Sequence, residues 1–248
     1  MLIYSASSAV EQEIDWGNDI WSLYSNVSEA KDSFESSVKT IVTSVLQKTK
    51  HKGEHKVIMC LSDVTNFRYQ VFPEYKGHRK GKRKPVCYRG LLKYVEETYE
   101  CARYPNVEGD DVMGILGTTL ENTVIVSGDK DLHGVSCRLY DHLKDEYFVI
   151  TKEEAERFHL YQTLIGDTTD GYPGCPGVGA KTAQKILDKD CSWEAVVRTY
   201  ESKGLTEEDA LVQARVAKIL TKNEWSDDTG VILWNPYAQS YNAETYKG

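Results

Sequence analysis

Apolar positions follow two rhythms along this chain. HKVIMCLSD and TVIVSGDKD are short continuous apolar runs bounded by polar residues, and they read as buried strands ending at Asp63 and at Asp129 and Asp131. Between them lie a basic loop and a helix expected over about 86–101. DDVMGILGTTLEN then sets Val112, Ile115, Leu116 and Leu120 on one helical face. Alternating strand and helix predicts an α/β fold with a mainly parallel central sheet flanked by helices.

From residue 150 the pattern turns helical. Thr151 with Glu154 three positions on is a capping box, opening a helix towards residue 165, and further helices are expected over 181–187, 193–200 and 206–220. A short apolar VILW follows, then a polar tail, YAQSYNAETYKG, expected to be partly disordered. The implied map is a sheet-based half over 1–150, a helical region over 151–234 and a tail over 235–248, without internal repeats.

The totals suit a globular protein: 248 residues, 40% apolar and 27% charged, enough for one large α/β domain or a domain with a small companion. No apolar run reaches the roughly 18 residues that span a membrane, and the N-terminus lacks the basic and apolar regions of a secretory signal, so a cytoplasmic protein is expected. The six cysteines form no CxxC pair and the six histidines no zinc spacing, so the cysteines read as reduced structural thiols. A net charge of −8 argues at first against a nucleic-acid partner. The charge is segregated, however: residues 75–95 hold no carboxylate, while YKGHRKGKRK gathers Lys76, Arg79, Lys80, Lys82, Arg83 and Lys84. A merely solvated basic loop is the plainer reading of that run.

Acidic residues are gathered too. Glu108, Asp110 and Asp111 precede an apolar helix; Asp129 and Asp131 follow a strand; Asp167 and Asp170 sit in IGDTTDGYPG; Asp63 stands alone. An acidic helix N-terminus, favoured by the macrodipole, would explain the first group by itself. Two carboxylates about 4 Å apart repel by roughly 4 kcal/mol at an effective dielectric near 20, so three together call for a cation. Oxygen ligands without histidine or thiolate suit Mg²⁺ or Mn²⁺, and two such ions make the arrangement used for phosphodiester cleavage. No calcium-binding DxDxDG loop is present.

GDTTDGYPGCPGVGAKTAQKIL misses the phosphate loop GxxxxGK[ST], because Ala180 separates Gly179 from Lys181. GVG ahead of a helix suits a helix-hairpin-helix turn that meets a DNA phosphate, or a plain Pro/Gly turn between helices.

Together, SDVTNFRYQVFPEYKGHRKGKRKP, EGDDVMG, SGDKDL, GDTTDGYPGCPGVGAKTA and ARVAKILTKNEW resemble the 5′-nuclease family, which includes flap endonucleases and, most similar, the 5′→3′ exonucleases of tailed phages. The resemblance covers nearly the whole chain. It implies a PIN-like nuclease core over 1–150, a basic arch near 74–101 and a helix-three-turn-helix region that grips duplex DNA. It makes Asp63, Glu108, Asp110, Asp111, Asp129, Asp131, Asp167 and Asp170 metal ligands, and Lys76, Arg79 and Asp111 catalytic. Tyr75 is implied to stack on a base. With it, Lys76, Arg79, Lys80, Lys82, Arg83, Lys84 and Lys181 are implied to bind DNA, and Gly177, Val178 and Gly179 to hold a K⁺ ion at the hairpin.

Family members begin with an apolar strand ending in a metal-binding aspartate, followed by a segment like LIYSASSA. Here that segment starts at Met1, so the resemblance implies a shortened form of a complete enzyme, with a site one aspartate short and weakened activity. The expected function is a monomeric, metal-dependent 5′→3′ DNA exonuclease with flap endonuclease activity, acting by a two-metal mechanism on duplexes with a 5′ end, nick or flap, with no membrane partner. The alternatives are a structure-specific DNA-binding protein that does not cut, and a PIN-like ribonuclease.

Overall fold

The computed structural model describes residues 1–79 and 81–238. Its first elements are ones the apolar pattern did not reveal: helix α1 (Leu2–Ala9) leads into an antiparallel hairpin of β1 (Glu11–Asp15) and β2 (Trp21–Ser25). The hairpin strands are mostly exposed on both faces, so no alternation marks them. Helix α2 (Val27–Thr49) starts at Asn26, whose side chain accepts from the Ser28 N–H at 2.9 Å, and stops at Lys50 in the left-handed region.

Next come β3 (Ile58–Cys60), the short α3 (Arg68–Val71), α4 (Tyr88–Thr98) and β4 (Glu100–Ala102), with β3 and β4 paired in parallel. Cys101, expected at the end of a helix, lies opposite Met59 in β4. Helix α5 (Gly109–Thr119) follows, then β5 (Ile125–Val126), β6 (Arg138–Asp141) and β7 (Glu146–Val149) in one sheet, parallel between β5 and β6 and antiparallel between β6 and β7. Both expected apolar strands are therefore present and paired in parallel. The single central sheet is not: among the described residues β3–β4 and β5–β6–β7 are separate, because nothing pairs with the facing edges of β3 and β5.

The remaining helices are α6 (Lys152–Ile165), α7 (Ala180–Lys189), α8 (Trp193–Glu201) and α9 (Glu207–Ala217), before a small hairpin of β8 (Trp225–Ser226) and β9 (Gly230–Val231). The Thr151–Glu154 capping box opens α6 as expected. Leu164, Ala183, Val196, Tyr200 and Ala214 form one core among these helices, while Phe34, Leu91 and Val95 form another between α2 and α4. Val107, Val112, Ile115 and Leu220 make a third core beneath α5.

Helix α9 ends at Ala217 instead of continuing to 220. The chain turns extended at Lys218 and runs against α5, where Leu220 N–H donates to Asp111 at 3.1 Å. Gly114 permits this approach, since a Cβ there would meet the Leu220 carbonyl oxygen at 2.3 Å. Of the expected tail, residues 239–248 lie outside the described residues. Among the described residues, no helix is long and apolar enough to cross a membrane, and the six cysteines are free thiols.

Candidate active site

The chains leaving β3 and β5 meet at the start of α5. Gly109 N–H donates to Ser62 Oγ at 2.9 Å, and the charge of Asp129 reaches Asp110. A third segment, 166–174, closes the group. It is pinched by an antiparallel bridge between Asp167 and Tyr172, with Gly166 and Gly174 back to back at positive φ. A Cβ on Gly174 would meet Gly166 N at 2.3 Å, so this crossing admits only glycine. Asp167 and Asp170 are thereby held beside the strand ends.

Seven of the eight expected carboxylates share one electrostatic environment: Glu108, Asp110, Asp111, Asp129, Asp131, Asp167 and Asp170. Burial, then the charges of Asp129, Glu108 and Asp111, push Asp110 up to about 7. Burial and Asp129 push Asp131 up to about 6, although Lys130 opposes them. Like charges in a poorly hydrated place have this effect. Glu108 moves the other way: burial raises it, but Arg68 and Lys76 outweigh burial and hold it below the usual range.

The chain's own cations sit among these groups. Lys76 Nζ lies 2.7 Å from Glu108 and 3.5 Å from Asp170, and Arg79 lies 3.1 Å from Asp170. Lys76 adopts a φ of 51°, rare for a residue with a Cβ, and is fixed there by its N–H, which donates to the Asp170 carbonyl at 2.7 Å. Lys130 bonds Asp167 at 2.6 Å and overcomes the effect of burial, so Asp167 is held low. Gln162 donates to Asp131 at 2.5 Å, and its Oε1 is buried without a partner.

Two expected ligands do other work. Asp63 accepts from Asn106 N–H at 2.7 Å and Thr65 Oγ1 at 2.8 Å, bonds that hold its carboxyl low and tie it to the turn before α5. Asp111 is fully buried beneath the group, with its oxygens 2.7 and 2.8 Å from the guanidinium of Arg68. It also accepts from the N–H groups of Glu108 and Leu220. Arg68 donates onward to the carbonyls of Val216 at 2.8 Å and Lys218 at 2.6 Å. Burial alone would lower this guanidinium, but the Asp111 charge raises it well above its ordinary value.

Tyr75 is only 2% exposed, and its hydroxyl donates towards Glu108 at 2.8 Å and Asp170 at 2.9 Å. It offers no free face for stacking on a base, which corrects that expectation: the ring is needed beneath the carboxylates. Arg83 is tied to Glu11 at 2.6 Å, and Lys84 lies over the Tyr88 ring at 4.5 Å. Lys82 and Lys181 are exposed, while Lys80 lies outside the described residues. Gly177, Val178 and Gly179 form the turn into α7, with Val178 buried in the helical core and Gly179 as N-cap.

Sequence reasoning missed Arg68, Lys130 and Gln162. Lys130 had a signal, standing between two aspartates in DKD. Arg68 had none, because its partner is 43 residues away.

Among the described residues, no three His, Cys, Asp or Glu side chains converge closely enough to hold a metal ion as they stand. The donor chemistry nevertheless fits a hard divalent cation: these are oxygen donors without imidazole or thiolate, and two are raised, by burial first and then by repulsion that added positive charge would relieve. A family model described as the 5′-3′ exonuclease N-terminal resolvase-like domain matches residues 21–159, more than half of the chain. The chain belongs to the 5′-3′ exonuclease family.

Within this family of nucleases, it is 29% identical to the exonuclease of Escherichia phage T7, over 95% of this chain and 91% of that protein. It is also 32% identical to the flap endonuclease Xni of Shewanella pealeana, over 55% of this chain and 59% of that one. Among solved structures, it resembles the T5 D15 flap endonuclease in a pseudo-enzyme-product complex with DNA and metal ions, with a TM-score of 0.58 at 15% identity, covering 75% of this chain and 81% of that one. The T5 5′-exonuclease with bound divalent zinc ions gives a TM-score of 0.54 at 17% identity, covering 74% and 84%. The two solved structures identify the fold as the PIN-like fold of the T5 flap endonuclease, and the family model with the phage T7 and Shewanella relatives bears out the 5′-nuclease expectation.

Proposed function

We propose that this 5′-3′ exonuclease family member is a divalent-metal-dependent DNA nuclease that acts at 5′ ends, nicks and flaps. The observation that carries this reading is Lys76 set between carboxylates of two segments, 2.7 Å from Glu108 and 3.5 Å from Asp170, with Asp110 pushed up to about 7 by burial and by the charges of Asp129, Glu108 and Asp111. Glu108, Asp110, Asp129, Asp131, Asp167 and Asp170 are the residues proposed to hold Mg²⁺ or Mn²⁺. When bound, two such ions supply activation of water and charge stabilisation at the leaving oxygen.

The protein's own part is to gather and orient. Lys76, held among the acids by its backbone, is positioned to turn its ammonium from Glu108 to a phosphate and stabilise the developing charge. Arg79 anchors the same segment to the loop of Asp170. Asp111 is proposed as a positioning residue that works through Arg68, since its oxygens are already engaged.

Residues 1–150 are proposed as the nuclease core, with 74–101 as the arch, and 151–234 as the DNA-gripping region. There the turn 177–179 and Lys181 would meet a phosphate, with K⁺ at the turn. The unit is proposed to be a monomer.

The test is digestion of 5′-labelled nicked and flapped duplexes with Mg²⁺, Mn²⁺ or EDTA. Product with either metal and none in EDTA is expected, and Asp110→Asn should lower the rate at least 100-fold while the protein still binds DNA. Binding without product under every condition would instead favour a structure-specific DNA-binding protein. One observation keeps that second reading in view: Asp63 accepts from the Asn106 N–H and the Thr65 hydroxyl through the same oxygen, which ties it to the turn before α5.

A further inference from the structure

On the buried face of α6, Leu160 and Leu164 join the helical core, and Thr163 returns its hydroxyl to the His159 carbonyl at 2.9 Å. Gln162, 2% exposed, does neither. Its Nε2 donates to Asp131 Oδ1 at 2.5 Å, and its Oε1 is buried without a partner. An ionised carboxylate has no proton to donate, so the amide must present its nitrogen to Asp131. That orientation strands Oε1.

A buried acceptor without a donor costs the folded state free energy, and Met or Leu would fill the same space without that cost. Polarity at 162 therefore answers to something other than packing. The stranded oxygen lies close to the acids: C=O and C–N bonds of about 1.2 and 1.3 Å keep Oε1 within roughly 5 Å of Asp131 Oδ1. Among the described residues, no second donor reaches the Asp131 carboxylate, so Oδ2 remains unengaged. The charges of Asp129, Asp167 and Asp170 all act on Asp131, which puts it inside the group proposed to hold a divalent ion.

We propose that Gln162 is a positioning residue of this site with two tasks. Nε2 fixes Asp131 by one oxygen and leaves Oδ2 for the cation, while Oε1 accepts from a water that arrives in the cation's hydration shell. Mg²⁺ keeps several waters when carboxylates bind it, so the donor that Oε1 lacks comes with the metal. A partner of this kind touches a ligand but not the ion, and its loss commonly weakens metal affinity by roughly 10–100-fold. The inference rests on the metal-site reading proposed above and adds to it a residue that is not a carboxylate.

The test is Mn²⁺ binding to the full chain without DNA, followed by the electron paramagnetic resonance of free Mn²⁺, for the wild type, Gln162→Met and Asp110→Asn. Gln162→Met should bind Mn²⁺ about tenfold more weakly yet keep the wild-type Tm in EDTA. On nicked duplex its kcat should fall about tenfold at low Mn²⁺ and recover as Mn²⁺ is raised, with KM for DNA unchanged, a rescue that a merely structural role would not show. Gln162→Leu repeats the series should the Met variant not fold, and in the unaltered protein the side-chain amide signals of Gln162 should shift when Mg²⁺ is added. Wild-type Mn²⁺ affinity in Gln162→Met, a loss of kcat that no Mn²⁺ concentration restores, or Gln162 signals indifferent to Mg²⁺ each overturn the inference. The metal-site reading survives any of these as long as Asp110→Asn loses Mn²⁺, whereas a wild type that binds no Mn²⁺ removes both.

Discussion

Arg68 and Asp111 form the ion pair on which the site is built. Both side chains are almost fully buried and paired through two short bonds, with the remaining donors on backbone carbonyls. A pair in such a place adds little net stability over an apolar pair, but removing one member strands the other charge. Arg68→Met should therefore cost about 3–5 kcal/mol in urea unfolding, and the double variant Arg68→Met, Asp111→Leu should recover part of that loss. If the double variant were no more stable than the single, the ion pair would not be the cause. His159 makes a pH prediction of a different kind. Burial first, and Lys218 second, lower it to about 3, while its ring Nε2 lies 2.8 Å from the Ala214 carbonyl. In the unfolded chain it titrates near 6.5, so below that pH the unfolded state binds the extra proton and stability falls until about pH 3. Relative to His159→Gln, the wild type should lose up to about 1.4 kcal/mol per pH unit across that window. Equilibrium unfolding of both proteins at a series of pH values measures the difference, and a flat difference would contradict the burial argument.

At the scale of elements, most helices were legible and their ends were not. The Thr151 capping box and the apolar face of α5 are local patterns, and both helices form where those patterns put them. Helix α9 stops early because Arg68, 148 and 150 residues away, takes the carbonyls of Val216 and Lys218, and no local signal reports such a partner. The segment after α9 then packs on α5 through Gly114. Gly114→Ala should destabilise the protein by about 1–3 kcal/mol, since its Cβ would overlap a backbone oxygen that can move only by lifting Leu220 out of the core. Guanidinium unfolding checks the size of the loss. An unchanged midpoint would mean that the segment 218–221 shifts freely.

For the whole molecule, charge segregation matters more than the net charge of −8. The carboxylates gather the chain's own Lys76, Arg79 and Lys130 at one place, while exposed Lys82 and Lys181 face solvent elsewhere. If the turn into α7 grips a phosphate, Lys181→Ala should weaken DNA binding about equally for all sequences and reduce the salt slope by about 0.9, as measured by anisotropy over a range of salt. An unaltered slope would remove Lys181 from the interface. What the sequence by itself determined was the family, the two apolar strands, the helical second half and the acidic segments, because apolar period, capping residues and Gly-flanked aspartates act over a few neighbouring positions. Only the tertiary structure decided which donors reach each of those acids. Asp111 and Asp63 look like Asp110 and Asp129 in the sequence, but Arg68 fills one from 43 residues away and the Asn106 turn engages the other. Tyr75 was likewise drawn under the carboxylates by partners 33 and 95 residues distant. A carboxylate's role depends on which donors reach it and how far water is excluded, and both are set by long-range packing that no local pattern encodes.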